Sequence, residues 1–339
     1  MKCRICKSDN VVTKYELFDD RYGYDGEFTL YGCKDCSHIW LDCIFTPEQL
    51  SNLYSTYYPY YPPKPIESGT KPGERKRRER RLTSNPFYEW LYGKSSYASQ
   101  WVPKNVRLLD IGCGVGEGFN YHIARGCDVY GIEANEKARS IIEKSGYKIH
   151  IGLFDPHLYE PGFFDYVTMD QVLEHMVNPL VTIQGISRLL KPQGKLIITT
   201  PNAKGWGAKI FRKRWIHWHA PYHLHFFSRQ SIEYLAYQAG FEIISYLTVT
   251  HSAWLNMQWM HLLTYPRKSK PSVFWAKHLV RVNKLSENYM LSGIINMLLS
   301  IISFFDKWRI NDLVTRFFDM VHLGDNQVFI LRKKDNNNF

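Results

Sequence analysis

A glycine-rich turn followed by an acid is the strongest chemical signature in this sequence. The run Asp110-Ile111-Gly112-Cys113-Gly114-Val115-Gly116 closes an apolar strand and opens a helix. Its glycines allow the backbone to approach a ligand and to adopt positive φ. A second strand then ends in Glu133, whose carboxylate can accept hydrogen bonds from both hydroxyls of a ribose. This pair predicts a nucleoside-containing cofactor; a nicotinamide dinucleotide domain and a purely structural turn remain as alternatives.

Two cysteine pairs near the N-terminus have the spacing of a metal site. Cys3 and Cys6 form one pair, and Cys33 and Cys36 form the other. Two turns that each present two thiolates give the tetrahedral coordination of a zinc ribbon, with a strand at 28–32 leading into the second turn. We predict a structural zinc ion, because four thiolates leave no open position for catalysis. The other cysteines are predicted to be core thiols: Cys43, Cys113 and Cys127.

Acid–base residues are concentrated in two further segments. Gln171, Glu174 and His175 are spaced so that they share one helical face or its N-terminal turn. The segment 217–228 contains four histidines, among them His223. Such side chains can deprotonate a hydroxyl acceptor. A capping or packing role for His175 is the alternative.

The elements that would position these residues alternate from residue 106 onward. Predicted strands lie at 106–111, 128–132, 166–169, 195–200, 241–249 and 326–332, and predicted helices include 135–144 and 178–190. Alternation of this kind predicts an α/β fold, with a parallel sheet covered by helices on both faces.

Five segments divide the chain. They are a zinc module at 1–45, a helix and linker at 46–84, a core at 85–253, a helical insertion at 254–323, and the last strand and tail at 324–339. Thr46, Pro47 and Gln49 are interpreted as the N-cap, first residue and capping-box partner of the linker helix. The linker ends in a basic run at 75–81, which is either a binding segment or a solvated face.

The insertion combines an apolar segment with basic flanks. Residues 291–305 are apolar but too short for a secure membrane span. Lys277, Arg281 and Lys284 precede them, and a Lys-Trp-Arg sequence follows at 307–309. This arrangement predicts a helix lying in the interface of an acidic membrane. A lid, packed on the domain or on a second subunit of a homo-oligomer, is the alternative.

Composition sets the broad class of the protein. The chain has 339 residues, of which 45% are hydrophobic, so it can form a packed core and is not disordered as a whole. Its formal net charge of +11 favours an anionic partner, namely nucleic acid, a phosphorylated substrate or an acidic membrane. The first residues contain no apolar leader, so we expect a cytoplasmic protein, peripheral at the membrane if the insertion binds lipid.

These motifs resemble the class I S-adenosylmethionine-dependent methyltransferases, in particular the ubiquinone-pathway O-methyltransferases. Asp110 before the first glycine is the methyltransferase form of the loop, which dinucleotide dehydrogenases usually lack. The similarity extends from residue 85 to about 250 and includes the last strand; its further motifs lie at 164–167, 171–179, 190–194, 200–202 and 239–241. The resemblance implies a Rossmann-like fold with a mostly parallel seven-stranded sheet, here with an N-terminal zinc ribbon and a helical insertion before the last strand.

The resemblance also implies a set of cofactor-binding residues: Asp110, Gly112, Gly114, Gly116, Glu133 and Asp170. In such enzymes Gly112 and Gly114 would line the methionyl portion and Asp110 would reach it through water. Glu133 would hold the ribose, and Asp170 would lie beside the sulfonium. Leu153 stands where many relatives have an acid near the adenine, so the adenine contacts are not carried over.

Some relatives bind a divalent ion at the acceptor hydroxyl through a Glu-x-x-Glu-His motif and a later histidine. Glu174, His175 and His223 match this pattern, whereas Gln171 replaces the first acid and removes one negative charge. His223, His175 and Glu174 are therefore the predicted catalytic residues, with His223 as the base. A second divalent ion at Gln171, Glu174, His175 and His223 is the alternative.

The function predicted from these features is O-methylation of a sugar, a lipid-linked glycan or another small-molecule intermediate. Zinc ribbons ahead of this methyltransferase type resemble those found in sugar and polysaccharide gene sets. An RNA methyltransferase is an alternative, but the segment 170–173 lacks the Asn/Asp-Pro-Pro-aromatic motif of base methylation. A non-catalytic zinc and S-adenosylmethionine binding module is another, although Asp110 and Glu133 are both present.

Overall fold

The structure is a computed structural model that describes residues 1–43, 45, 46, 49, 52–58, 86–92, 97–275, 297 and 300–334. Its strands are β1 (Val11–Leu17), β2 (Phe28–Cys33), β3 (Ile39–Asp42), β4 (Arg107–Ile111), β5 (Asp128–Glu133), β6 (Lys148–Ile151), β7 (Phe164–Asp170), β8 (Leu190–Pro201), β9 (His225–Phe226), β10 (Phe241–Thr248) and β11 (Asn326–Lys333). Its helices include α1 (Pro86–Tyr92), α2 (Phe119–Ile123), α3 (Arg139–Ser145), α4 (Pro179–Leu189), α5 (Trp206–Phe211), α6 (Arg229–Gln238), α7 (Ser252–Leu263) and α8 (Ile310–Met320). Single turns of 3₁₀-helix occur at Ala98–Trp101, Glu136–Ala138, Leu173–His175 and Arg212–Arg214, and a π-helical turn at Leu53–Tyr57.

A seven-stranded sheet forms the centre of the molecule and confirms the predicted fold. Its strand order is β10-β11-β8-β7-β4-β5-β6, and only β11 runs antiparallel to its neighbours. Leu108 packs in the core on one side of β4, and Leu109 packs in the core on the other. Burial on both faces explains why such strands are continuously apolar. The parallel strands bring their carboxyl ends to one edge, where ligands bind in folds of this type.

Local signals explain where several helices begin. The Asn178 side chain accepts a hydrogen bond from the N–H of Val181, and Pro179 occupies the first helical position, as the sequence indicates for the helix predicted at 178–190. The predicted helix at 135–144 is present as a 3₁₀ turn followed by α3. Asn135 caps that turn by accepting from Lys137 N–H.

A second, antiparallel sheet joins the N-terminal module to the core. Its strand order is β1-β2-β3-β9, and β9 belongs to the histidine-rich segment far along the chain. Trp40 pairs with His225, and Ile39 pairs with Phe226. The segment boundary that we place at residue 45 therefore runs through this sheet, because β1, β2 and β3 precede it and β9 follows it.

The linker and insertion are described in part. Thr46 N–H donates to Gln49 Oε1, and Gln49 N–H donates to Thr46 Oγ1, which confirms the predicted capping box. Pro47 and the basic run at 75–81 lie outside the described residues, as do Lys277, Arg281, Lys284 and most of 291–299. Among the helices that are described, none is long and apolar enough to cross a membrane.

Candidate active site and metal centre

The glycine-rich loop follows β4 at the carboxyl edge of the main sheet. Gly112 and Gly114 have φ values of 74° and 57°, a region that side chains other than glycine rarely adopt. A Cβ at Gly112 would clash with Val172, whereas a Cβ at Gly114 would enter open space. Gly116 also has a positive φ, of 79°. The loop thus presents bare backbone to an open region, as close approach of a ligand requires.

Glu133 anchors this loop from the end of β5. One carboxylate oxygen accepts the N–H of Gly114 at 2.9 Å, and the other accepts the N–H of Asn135 at 2.8 Å. Each oxygen retains a second lone pair with which it can accept from a ribose hydroxyl. The structure therefore fixes Glu133 beside the glycine loop with one further acceptor position on each carboxylate oxygen.

Asp110 and Asp170 complete an acidic group beside the loop. Asp110 accepts from Thr168 Oγ1 at 2.6 Å, and Asp170 accepts from the N–H of Ala98 at 3.2 Å. Burial raises the pKa of Asp110 to about 7 and also raises the pKa of Asp170. Within the described part of the chain, neither they nor Glu133 form an ion pair with a basic side chain. Three carboxyl groups without a counter-cation favour a positively charged ligand.

Glu174, His175 and His223 form the second polar group, as the sequence predicts. A carboxylate oxygen of Glu174 and one nitrogen from each ring lie within 4.8 Å of one another. The two imidazole rings are 4.6 Å apart, edge to face. Glu174 is fully buried. Thr200 Oγ1 donates to its Oε2 at 3.0 Å, whereas its Oε1 has no hydrogen-bond partner among the described residues.

The tautomers of both histidines follow from their neighbours. His175 Nδ1 lies 2.9 Å from the carbonyl oxygen of Tyr222, and His223 Nδ1 lies 2.9 Å from that of His217. A carbonyl oxygen can only accept, so each Nδ1 carries the proton and each Nε2 keeps a lone pair. Burial lowers the pKa of His175 to about 4 and lowers the pKa of His223 well below its usual range. Burial thus favours the neutral form of both rings, in which Nε2 is a hydrogen-bond acceptor.

Gln171 does not join this group, and the prediction that it shares a face with Glu174 and His175 is wrong. It has a φ of 56° and precedes the 3₁₀ turn that carries the other two residues. Its side-chain amide donates instead to Thr199 at 3.1 Å and to Asn326 at 2.9 Å. The left-handed backbone turns this side chain toward the sheet, so it ties β7 to β8 and β11.

The four predicted zinc ligands come together in the N-terminal module. The sulfur atoms of Cys3 and Cys36 are 3.6 Å apart, and those of Cys6 and Cys33 are 3.5 Å apart. All four sulfurs lie within 4.8 Å of one another. The contact with the Cys36 sulfur lowers the pKa of Cys3. Four sulfurs at this spacing fit a tetrahedral zinc ion.

Two histidines that the sequence analysis missed connect this cluster to the core. His38 Nδ1 lies 3.9 Å from the Cys3 sulfur, and His38 Nε2 lies 3.1 Å from His225 Nδ1. The His38 ring thus lies between the Cys3 sulfur and the His225 ring, and His225 Nε2 lies 3.5 Å from the Val177 carbonyl oxygen. Such partners beyond the metal ligands orient the ligands. The spacing of His38 two residues after Cys36 is the signal that could have indicated it.

The backbone extends this connection to the candidate base. Leu41 N–H donates to the Leu224 carbonyl at 3.0 Å, and Leu224 N–H donates to the Glu174 carbonyl at 2.8 Å. Leu224 lies next to His223 in the chain. The strand that follows the cysteine cluster is therefore only two hydrogen bonds from the Glu174 backbone.

Comparison with known proteins agrees with this geometry. A family model described as a methyltransferase domain matches residues 77–246. The chain is 35% identical over 130 residues to a ubiquinone biosynthesis O-methyltransferase of Dechloromonas aromatica, covering 35% of this chain and 56% of that protein. It is 32% identical over 114 residues to the protein of the same name from Aromatoleum aromaticum, covering 30% and 49%. The chain thus spans about half the length of these curated relatives.

Among solved structures, an S-adenosylmethionine-dependent methyltransferase of Methanosarcina mazei is 21% identical. The match covers 44% of this chain and 86% of that one, with a TM-score of 0.37.

Proposed function

We propose, on the premise that this chain belongs to the methyltransferase-domain family, that it transfers the methyl group of S-adenosylmethionine to an acceptor oxygen. One observation carries the proposal: Asp110, Glu133 and Asp170 surround an open glycine loop and have no cationic partner in the described structure. The sulfonium and the ammonium of this cofactor would supply the missing positive charge. The carboxylate of Glu133 would hold the ribose.

His223 is the proposed base. Its Nδ1 proton is engaged by the His217 carbonyl, so Nε2 is the atom that would take the hydroxyl proton of the acceptor. His175 packs against it at 4.6 Å and Glu174 lies within 4.8 Å. The protein would otherwise act by aligning the hydroxyl with the methyl carbon.

The proposed acceptor is a sugar, a lipid-linked glycan or a related small molecule. Aromatic rings surround the histidine cluster on one side: the rings of Tyr22, Tyr58 and Tyr222 have their centroids 5.8, 5.9 and 4.8 Å from that of His219. Aromatic walls with few polar groups are typical of small-molecule sites. The curated relatives carry names that specify O-methylation.

Turnover with isotopically labelled S-adenosylmethionine and a cell extract tests this proposal, with mass spectrometry to identify the labelled product. A general base contributes about a hundredfold to ten-thousandfold in rate. His223→Ala should therefore reduce transfer at least about a hundredfold while S-adenosylhomocysteine binds almost as before. His157→Ala, at an exposed position, is the control and should change neither. A wild-type protein that binds no S-adenosylhomocysteine would refute the function, and a greater loss of binding than of turnover in His223→Ala would make that residue structural.

A divalent cation among Glu174, His175 and His223 is a second proposal about the same site. The two Nε2 lone pairs and the unpartnered Oε1 of buried Glu174 are three acceptors in one place, which a cation would satisfy. When bound, such an ion polarises an acceptor hydroxyl. Metal analysis after dialysis against Mg²⁺ or Zn²⁺ tests it. Glu174→Gln should lose one ion and keep the cysteine-bound zinc, and identical metal content in both proteins would refute the cation.

We also propose that the insertion contacts an acidic membrane surface. Phe304 and Trp308 are 51% and 62% exposed, next to Lys307. Replacing both aromatic residues by serine should reduce co-sedimentation with acidic liposomes, whereas Tyr237→Ser, at an equally exposed site, should not. Failure of the wild-type protein to sediment would favour the lid or subunit contact instead.

A further inference from the structure

Arg21 is a buried guanidinium at the junction of the N-terminal module and the core. Its backbone is held in place by the carboxylate of Asp19, which accepts the N–H groups of Arg21, Tyr22 and Tyr24 at 2.9 Å each. The carbonyl of Arg21 accepts the N–H of Ser272 at 2.9 Å. Only 6% of the residue is exposed. The turn after β1 thus delivers a rigidly placed positive charge into the interior.

The charge of Arg21 lacks a counter-ion among the residues that the structure describes. One terminal nitrogen donates to the carbonyl of Ile216, and the guanidinium carbon lies 4.0 Å from the centroid of the Trp275 ring. Its Nε has no hydrogen-bond partner, and no carboxylate forms an ion pair with it in the described part of the chain. The Asp19 carboxylate is occupied by backbone groups, and Asp20 lies 3.3 Å from His261. An unpaired buried charge is costly unless a ligand neutralises it.

The guanidinium of Arg21 lies beside the segment that carries several of the candidate catalytic histidines. Ile216, its hydrogen-bond partner, precedes His217, whose carbonyl holds His223. The His219 ring lies 4.9 Å from the His223 ring, and its Nε2 is a second buried atom without a partner among the described residues. The charge of Arg21 adds to burial in lowering the pKa of His175, His217, His219 and His223. The positive charge of Arg21 therefore acts on the whole histidine cluster.

We propose that Arg21 and His219 form an anion subsite of the acceptor pocket and bind a phosphate or carboxylate group of the acceptor. The proposal rests on the methyltransferase function argued above. A guanidinium offers planar, paired donors that match an oxyanion, and a neutral imidazole adds one N–H donor. The His219 and His223 rings are 4.9 Å apart, so an anion held by His219 would bring a nearby hydroxyl of the acceptor toward the base. The acceptor class is then an acidic one, such as a sugar phosphate or a sugar acid.

The Nε–H signal of Arg21 in ¹⁵N NMR spectra tests this subsite directly, with inorganic phosphate in one arm and acetate in the other. The protein is saturated with S-adenosylhomocysteine, and ionic strength is held constant with sodium chloride. Arg21→Lys identifies the signal by its absence. We expect a saturable shift of this signal with the anion whose chemistry matches the acceptor, and a much smaller response from exposed Arg139, which is already paired with Glu136.

Binding measurements complete the test. Arg21→Gln should weaken binding of the anion that shifts the NMR signal about tenfold or more, because loss of a hydrogen bond to a charged group has an effect of this size. Its affinity for S-adenosylhomocysteine should stay within about twofold. Arg139→Gln should change neither affinity. If Arg21→Gln does not fold, the NMR titration of the wild-type protein still decides. No saturable shift with either anion, while S-adenosylhomocysteine binds, would overturn the subsite alone. Absence of S-adenosylhomocysteine binding would overturn the methyltransferase proposal.

Discussion

The cofactor side and the acceptor side of this site are built in opposite ways. On the cofactor side, one short stretch of chain contains both the glycine loop and Glu133, and neighbouring parallel strands hold them. On the proposed acceptor side, Arg21, Glu174 and His223 come from three distant segments. Arg21 follows β1 and His223 precedes β9 of one antiparallel sheet, and the Glu174 carbonyl accepts from Leu224 N–H. The first arrangement needs only the core fold. The second arrangement also includes Arg21, which belongs to the N-terminal module that a domain boundary at residue 45 would separate from the core.

Loss of zinc should produce the largest difference between the two sides, because it should reduce methyl transfer and leave cofactor affinity nearly unchanged. We predict one zinc ion per chain in the wild-type protein. Cys36→Ser removes one of the four thiolates, so elemental analysis of this variant should find the zinc lost. Because β3 pairs with β9 and Leu224 bonds to Glu174, methyl transfer should fall at least about a hundredfold, in the range seen for disturbed metal sites and catalytic bases. The affinity for S-adenosylhomocysteine should stay within about threefold.

Cys43→Ser provides the matched control, since Cys43 belongs to the same module but lies outside the four-sulfur cluster. It should retain zinc and activity. A zinc-free Cys36→Ser protein that still transfers methyl groups at the normal rate would show that the acceptor side does not depend on the module.

Glu133→Ala should have the next largest effect, and on the opposite side. Loss of a buried acceptor costs about 1–3 kcal/mol, roughly a fivefold to hundredfold weakening of S-adenosylhomocysteine binding measured by calorimetry. Zinc content should not change. Glu136→Ala, at an exposed acid paired with Arg139, is the control. Unchanged affinity in Glu133→Ala, or binding of NAD by the wild-type protein, would remove the basis of the cofactor assignment.

A pH titration should produce the smallest effect. Burial raises the pKa of Asp110 to about 7 in the free protein, so this carboxyl is protonated below that pH. The positive sulfonium favours the ionised form, so S-adenosylmethionine should bind more tightly as pH rises through about 7 and level off above it. S-adenosylhomocysteine lacks this charge, so the affinity ratio of the two should rise by up to about tenfold per unit of pKa shift.

Asp110→Asn should make that ratio independent of pH, because its amide oxygen can still accept from Thr168 but cannot ionise. The same pH dependence in both proteins would assign the titration to another group, such as Asp170.

The contrast between the two sides also explains what the sequence could reveal. The glycine loop, Glu133 and the helix predicted at 178–190 are local patterns, and each occupies the predicted kind of element. The cysteine pairs are likewise local in their two turns, and their convergence is confirmed. Their occupation by zinc, like the roles of the catalytic residues, stays a prediction.

Long-range partners account for the failures. Gln171 has the motif spacing, but its backbone has a positive φ and its side chain bonds to Thr199 and Asn326 instead. The sequence does not indicate a positive φ at a residue other than glycine. Strand β9 has only two residues and is formed because β3 offers a free edge to it. Arg21 resembles an ordinary surface arginine beside two acids until the fold buries it without a carboxylate partner.

The pairing of β3 with β9 has a consequence for synthesis of the protein on the ribosome. Strand β3 emerges early, whereas its partner in the histidine-rich segment follows only after most of the central sheet. At translation rates of about 5–20 residues per second, the edge of β3 stays uncovered for on the order of tens of seconds. Unpaired strand edges can pair with other chains, so this edge of the nascent N-terminal sheet is open to such pairing until β9 arrives.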